Sequence, residues 1–422
     1  MPLTFSAERH VAPASRAAAA APLWSEDAAR REVAAIVEDC EACFDPVTLW
    51  PEHPLEQDRD VADGKGEALT SLFLGATGTI WALRDLASAG LVRLRHDYGK
   101  AIDGILARHA TTPDFAVNGK PAPGLLLGDL GVHLVAALVR GAATDPERVK
   151  AAAAAAIPAP ELELMWGAAG ALLVARHFAR TTPDPAWRKL MRTAADRLLA
   201  TWKEDPKSGA WTWEQDLYGN KRRYLGAVHG FAGNAEALLA AGDVLTRDES
   251  ALVLKRVAAT LKSLAIREDG AGSLRIANWP LALPEGAPTT AKILLQYCHG
   301  APGIVAAMAR YPKGEDSDLD TLLEEAGECI WQAGPLAKPH GLCHGTAGNG
   351  YAFLVLHRRT GDSRWLARAR EFATVAVAQS HAARGRFGMR RHTFWQGDLG
   401  LAVYLGDLLL GRGHEWPQIE RF

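Results

Sequence analysis

The chain has 422 residues, 48% of them hydrophobic and 23% charged, with a formal net charge of −2. That balance fits a globular protein with a sizeable core and carries no basic excess pointing to nucleic acid, while no uninterrupted apolar stretch is long enough to span a bilayer. Five cysteines, Cys40, Cys43, Cys298, Cys329 and Cys343, are too few and too unevenly placed for a disulfide framework, so a reducing, cytoplasmic setting is the expectation.

Residues 1–65 read as an N-terminal helical segment that is part of, or leads into, a body at 66–422. The alanine run near its start lacks the compact apolar core of a secretory signal. Within it, "REVAAIVEDCEACF" places Cys40 and Cys43 in a CxxC spacing that suits a metal or redox chemistry. The same spacing puts them one turn apart on a helix, and that plainer reading is favoured.

From residue 75 onward one phrase repeats. A G-x-x-G followed by an apolar helical run occurs at "GATGTIWAL" (75), "GDLGVHLV" (128), "GAAGALLV" (167), "GFAGNAEALL" (230), "GAPGIVAAM" (300), "GTAGNGYAFL" (345) and "GDLGLAVYL" (397). Between the phrases lie stretches with helical periodicity and charged faces, such as "DPAWRKLMRTAADRLLATW" (184–202), and strand signals are scarce. Each unit therefore predicts an inner helix, entered through the glycine turn, and an outer helix. Seven units predict a closed ring: an all-α fold, an α/α toroid of seven inner and seven outer helices. The seven turns then share one end of the ring, and residues flanking them converge. At 75, 128 and 397 the glycines are expected only to permit close packing.

The other turns carry chemistry. "ELMWG" puts Glu163 four residues before the third phrase, "AVHG" puts His229 before the fourth, "YCHG" puts Cys298 and His299 before the fifth, and "GLCHG" puts Cys343 and His344 before the sixth. Adjacent side chains cannot reach one target from a regular helix or strand, but an irregular turn allows it, and the apolar run after Gly345 reads as an amphipathic helix. Cys298, Cys343 and His344 make a set of two thiols and one imidazole, which zinc holds at roughly 2.0 to 2.3 Å with a fourth position left open at catalytic sites. The alternative is buried thiols packed as small hydrophobes. His299 is expected outside the ligand set, and Cys329 in the core. "WTWEQD" (211–216) admits a reading as a sugar platform with an acid, Glu214 or Asp216, though it would leave the cysteines unexplained.

At these residues the chain resembles the lanthionine synthetase C-like family, on "YCHGAPG", "GLCHGTAGNGYAFL", "GAVHGFAG" and the repeated glycine phrase, from about residue 70 to the C-terminus. The resemblance implies a zinc-containing toroid in which Cys298, Cys343 and His344 hold the metal and His229 is the active-site acid or base. Glu163, "CHGAPG" and "GLCHGTAGNGYAFL" are closer to the branch implicated in adding glutathione to dehydrated serine or threonine residues than to the bacterial peptide cyclases. Lys338 and Arg386 fall where that branch has basic residues near glutathione. Glu163 is expected to orient His229 or raise its pKa, against the plainer reading of a surface carboxylate. The partners implied are a dehydrated peptide or protein and possibly glutathione. A cyclase for one dedicated precursor peptide, or a zinc-containing scaffold without catalysis, are the alternatives.

Overall fold

The computed structural model describes residues 3, 9–10, 23–56, 69–141, 146–283, 292–337, 340–413 and 415–422. Lys338 and the junction at 65 and 66 lie outside the described residues. Seven helices start at a glycine phrase: α2 (Ala76–Ser88), α4 (Asp129–Arg140), α6 (Ala168–Thr181), α8 (Phe231–Ala240), α10 (Ala301–Ala307), α12 (Thr346–Thr360) and α14 (Asp398–Leu410). Seven more alternate with them: α1 (Glu26–Ala42), α3 (Gly99–Thr111), α5 (Pro146–Ala156), α7 (Ala186–Thr201), α9 (Arg247–Leu264), α11 (Ser317–Ala333) and α13 (Ser363–Phe387).

Each inner helix packs against the outer helix that follows it in the chain, and the seventh, α14, packs against α1, the first outer helix. The ring is thus closed by the N-terminal helix. Ion pairs stitch this seam: Arg384 and His392 both meet Asp39, at 2.9 and 3.0 Å, and Arg390 meets Glu32 at 2.9 Å. No described helix is long and apolar enough to cross a membrane.

Outer and inner helices differ because they have different surroundings. On α7 the buried residues Trp187, Met191, Ala194, Ala195 and Leu198 form one stripe, the pattern of a helix with one face in solvent. On α12 every residue from Thr346 to Leu356 is buried. The amphipathic helix expected after Gly345 is therefore enclosed on all sides, as an inner helix must be.

The glycine phrase has a specific steric reason. At the second glycine of each of the seven turns, an added Cβ would lie between 1.8 and 2.5 Å from the carbonyl oxygen six residues earlier. Backbone carbonyls of the turn also cap the helix: Ala76, Asp129 and Phe231 each donate an N–H at 2.9 Å to Leu69, Ala122 and Tyr224. The first-turn donors that Ser or Asp side chains usually satisfy are met by main chain instead. Neighbouring turns are tied by the residue after the second glycine. Asn234, Asn349 and Thr79 donate to the carbonyls of Leu162, Leu295 and His392, each five residues before the previous unit's first glycine. The Thr79 bond joins the first turn to the last.

Gly400 and Gly104 make a matched test. A Cβ on Gly400 would sit 2.1 Å from the Phe394 oxygen, whereas one on Gly104, exposed on α3, meets nothing within 4 Å. Urea unfolding should show Gly400→Ala destabilised by about 1 to 3 kcal/mol or more and Gly104→Ala stabilised by about 0.5 to 1 kcal/mol. Equal effects would remove the steric account of the repeat.

Among the described residues four short antiparallel hairpins decorate the ring, beyond the scarce strand signal in the sequence. They pair β1 (Ala116–Val117) with β2 (Lys120–Pro121), β3 (Lys203–Glu204) with β4 (Trp211–Thr212), β5 (Gln215–Leu217) with β6 (Asn220–Arg222), and β7 (Ile266–Asp269) with β8 (Arg275–Asn278).

Candidate metal centre

The turns before α10, α12 and α14 are joined by main-chain hydrogen bonds. Cys298 N–H donates to the Cys343 carbonyl at 3.1 Å, and the N–H groups of Leu342 and Cys343 both donate to the Trp395 carbonyl at 2.9 Å. This brings together two cysteines that are far apart in the chain. One donor atom each from Cys298, Cys343 and His344 lies within 4.8 Å of the other two. Both thiols are buried. Gln296 donates its Nε2–H to Cys298 Sγ at 3.0 Å. A hydrogen bond from the Cys343 thiol, with help from His344 and against the cost of burial, holds the Cys298 thiol well below its ordinary pKa.

A soft set of two sulfurs and one imidazole nitrogen is what zinc takes, and the three groups line a cavity of about 660 Å³ whose described lining residues include no aspartate or glutamate. The donor set therefore fits zinc, with one side of the group facing the cavity.

His229 lines the same cavity. Its Nδ1 is hydrogen-bonded at 3.0 Å to Oε2 of Glu163, whose other oxygen accepts the Trp166 N–H at 2.7 Å. Glu163 is fully buried and the His229 side chain is 25% exposed, so Nε2 is the nitrogen left to meet a ligand. Burial opposes protonation of His229, but the Glu163 hydrogen bond and charge, with Cys298, outweigh it and raise the pKa. The plainer reading of Glu163 as a surface carboxylate is excluded by its burial. His299 stacks on His229, ring centroids 5.8 Å apart, outside the three-donor group. Burial pushes its pKa down to about 4.

Arg386 is exposed at the end of α13 and lines a different cavity of about 390 Å³ with His53, His340 and Arg391. The two cavities share no lining residue. Cys329 is buried in the core. Cys40 and Cys43 do sit one turn apart at the end of α1, the first buried and the second exposed. Cys43 is joined not by Cys40 but by Asp39 and His392, with donor atoms within 4.8 Å. The Arg384 guanidinium on Asp39 opposes a cation there. Trp213 is fully buried, stacked on Trp202 at 4.4 Å, and Trp211 is covered by Arg256 at 3.5 Å, so the tryptophans pack rather than form a sugar platform.

Reading the sequence missed Gln296 and the β5–β6 hairpin, whose residues Leu217, Tyr218, Asn220 and Arg222 line the cysteine cavity. The available signal was "QDLYGNKR", two short runs about a glycine turn.

Residues 69–421 match the family model described as lanthionine synthetase C-like protein. Over 211 residues the chain is 31% identical to the glutathione S-transferase LANCL1 of Danio rerio, covering 47% of this chain and 46% of that protein. Over 157 residues it is 36% identical to the LanC-like protein GCL1 of Arabidopsis thaliana, covering 36% of this chain and 32% of the relative. The chain thus spans less than half the length of these curated relatives. Among solved structures, nisin cyclase superposes with a TM-score of 0.58 at 15% sequence identity, covering 86% of this chain and 93% of that one. That likeness speaks for the toroid fold.

Proposed function

Because the chain belongs to the lanthionine synthetase C-like family, we propose that it is a zinc enzyme that forms thioethers by adding a thiol to dehydroalanine or dehydrobutyrine residues of a peptide or protein. The observation that carries this reading is the three-donor group and the His229–Glu163 pair opening into one cavity. Cys298, Cys343 and His344 would hold the metal, whose Lewis acidity favours the thiolate form of an incoming thiol.

The chain's own residues supply the proton chemistry. When sulfur bonds to the β-carbon, the carbon–carbon double bond opens and its electron pair moves to the α-carbon as an enolate. His229 in its imidazolium form gives that carbon a proton from Nε2, which sets its role as general acid. Glu163 acts through His229, holding the ring by Nδ1 and favouring the protonated state. The buried carboxylate aimed at an imidazole that faces the cysteine cavity supports the catalytic reading over a scaffold.

The thiol is glutathione or a peptide cysteine, and two substrates separate these. A dehydrobutyrine peptide without cysteine is incubated with and without glutathione, and a second peptide carries its own cysteine. Mass gain by glutathione on the first supports intermolecular addition. Cyclisation of the second alone makes the protein a peptide cyclase, and inactivity on both refutes the enzyme reading.

Glu163→Gln tests the positioning role. The amide still accepts the Trp166 N–H but carries no charge, so His229 loses the influence that raises its pKa. Activity that needs imidazolium falls as pH rises through the His229 pKa, so the alkaline limb of the pH–rate profile should move to lower pH in the variant. The rate should drop by roughly tenfold, less than the about 10² to 10⁴ carried by a general acid itself. An unmoved limb would separate Glu163 from the proton transfer.

A further inference from the structure

The cysteine cavity has one wall that the sevenfold repeat does not build. Strands β5 and β6 pair in the register Gln215↔Arg222, Asp216↔Lys221 and Leu217↔Asn220. They are joined through Tyr218 and Gly219, both at positive φ, +56° and +80°. The base of this hairpin is anchored. The fully buried Gln215 accepts the Tyr224 N–H at 2.8 Å, Asp216 N–H donates to the Pro160 carbonyl at 3.2 Å, and Leu217 is buried. The end of the hairpin is exposed at Tyr218, Asn220, Lys221 and Arg222.

Side chains alternate between the two faces of such a ribbon. Leu217, Asn220 and Arg222 line the cavity, which puts Asp216 and Lys221 on the other face. There Lys221 stands opposite a carboxylate, whereas Arg222 stands opposite the neutral Gln215. Arg222 makes no ion pair or hydrogen bond with a described residue. Among the described residues lining this cavity it is the one permanently charged side chain, and no carboxylate lines the cavity to neutralise it. Tyr218 marks the same wall. A tyrosine at φ +56° is a strained choice for a hairpin turn, costing on the order of 1 kcal/mol, and such strain gathers at functional sites.

We propose that Arg222 is the carboxylate-reading residue of this cavity, so that the protein selects small thiols bearing a free carboxylate over neutral ones. The proposal rests on the thiol-addition reading for its role, though the binding can be measured apart from catalysis. The planar guanidinium pairs with a carboxylate through two parallel charge-assisted hydrogen bonds. A cavity of about 660 Å³ falls in the range of small-ligand sites. The group that accepts the metal and the group that reads the anion then share one chamber, which Arg386, in the other cavity, does not.

The test uses the zinc-loaded full chain, titrated calorimetrically with S-methylglutathione, which keeps both carboxylates but has no free thiol, and with its dimethyl ester. Wild type should bind the acid more tightly than the ester. Arg222→Gln should weaken binding of the acid by about tenfold or more and abolish the preference, while Arg386→Gln leaves the preference in place. In turnover, the ratio of kcat/KM for glutathione over 2-mercaptoethanol should fall by the same factor in Arg222→Gln, through KM. Wild type without affinity for S-methylglutathione, Arg222→Gln binding it as wild type does, or a loss confined to Arg386→Gln would each overturn the proposal. Weakened binding of an acidic dehydrobutyrine peptide alone would assign the carboxylate to the acceptor and overturn thiol selection. Wild type that binds S-methylglutathione but adds no thiol would instead remove the enzyme reading and leave Arg222 as an anion-binding residue.

Discussion

Replacing Cys343 by alanine is expected to take zinc from about one ion per chain to a small fraction of that, and thioether formation with it. Among the described residues the donor group has three members, Cys298, Cys343 and His344, so each loss leaves two. The fold should survive, because the bonds that tie these turns together are main-chain: Cys343 N–H to the Trp395 carbonyl, and Cys298 N–H to the Cys343 carbonyl. Alanine keeps both. Cys298→Ala should behave alike, and His299→Ala should retain zinc, since His299 lies outside the three-donor group. Elemental analysis beside circular dichroism decides the matter. Full zinc content in Cys343→Ala would sink the ligand assignment, and zinc loss in His299→Ala would redraw it.

His229→Asn should keep zinc and fold yet lose about 10² to 10⁴ in the rate of thiol addition. Asparagine can still hydrogen-bond to Glu163, so the buried carboxylate is not stranded. What it lacks is a nitrogen that releases a proton near neutral pH. Protonation of the α-carbon would then come from water, without a fixed face, and the residual product should be a mixture of configurations at that carbon. Chiral analysis of the hydrolysed thioether gives a readout that a merely structural role would not move. A single configuration at an unchanged rate would assign the proton to another donor, and loss of zinc would make His229 a ligand.

Much of this architecture is written locally. The glycine phrase is legible because each second glycine answers the same steric demand, a carbonyl six residues back that leaves no room for a Cβ. A demand met within seven residues shows in any one turn, and seven occurrences reveal the ring. Cys298, Cys343, His344 and His229 are legible as neighbours for the same reason: each stands just before a glycine turn, and repeat register carries them to one end. Position in the repeat substitutes for knowledge of distance.

Other features depend on contacts between distant segments, and the local pattern is silent on them. Glu163 reads equally well as a surface carboxylate until the packing of its turn buries it against His229. Arg386 precedes Phe387 on a long outer helix, and only the placement of that helix assigns it to a cavity apart from the cysteines. The seam at α1 is set by partners more than 340 residues away, Asp39 with Arg384 and His392. The β5–β6 hairpin has strands of three residues, too short to show a period of two, and its position over the cavity is held by Pro160 and Tyr224. The sequence by itself determined the ring and the residues at its mouth, because repetition amplifies a local steric rule. Tertiary structure alone decided which charges face that mouth, because a side chain's burial and partners are set by whatever the rest of the chain brings beside it.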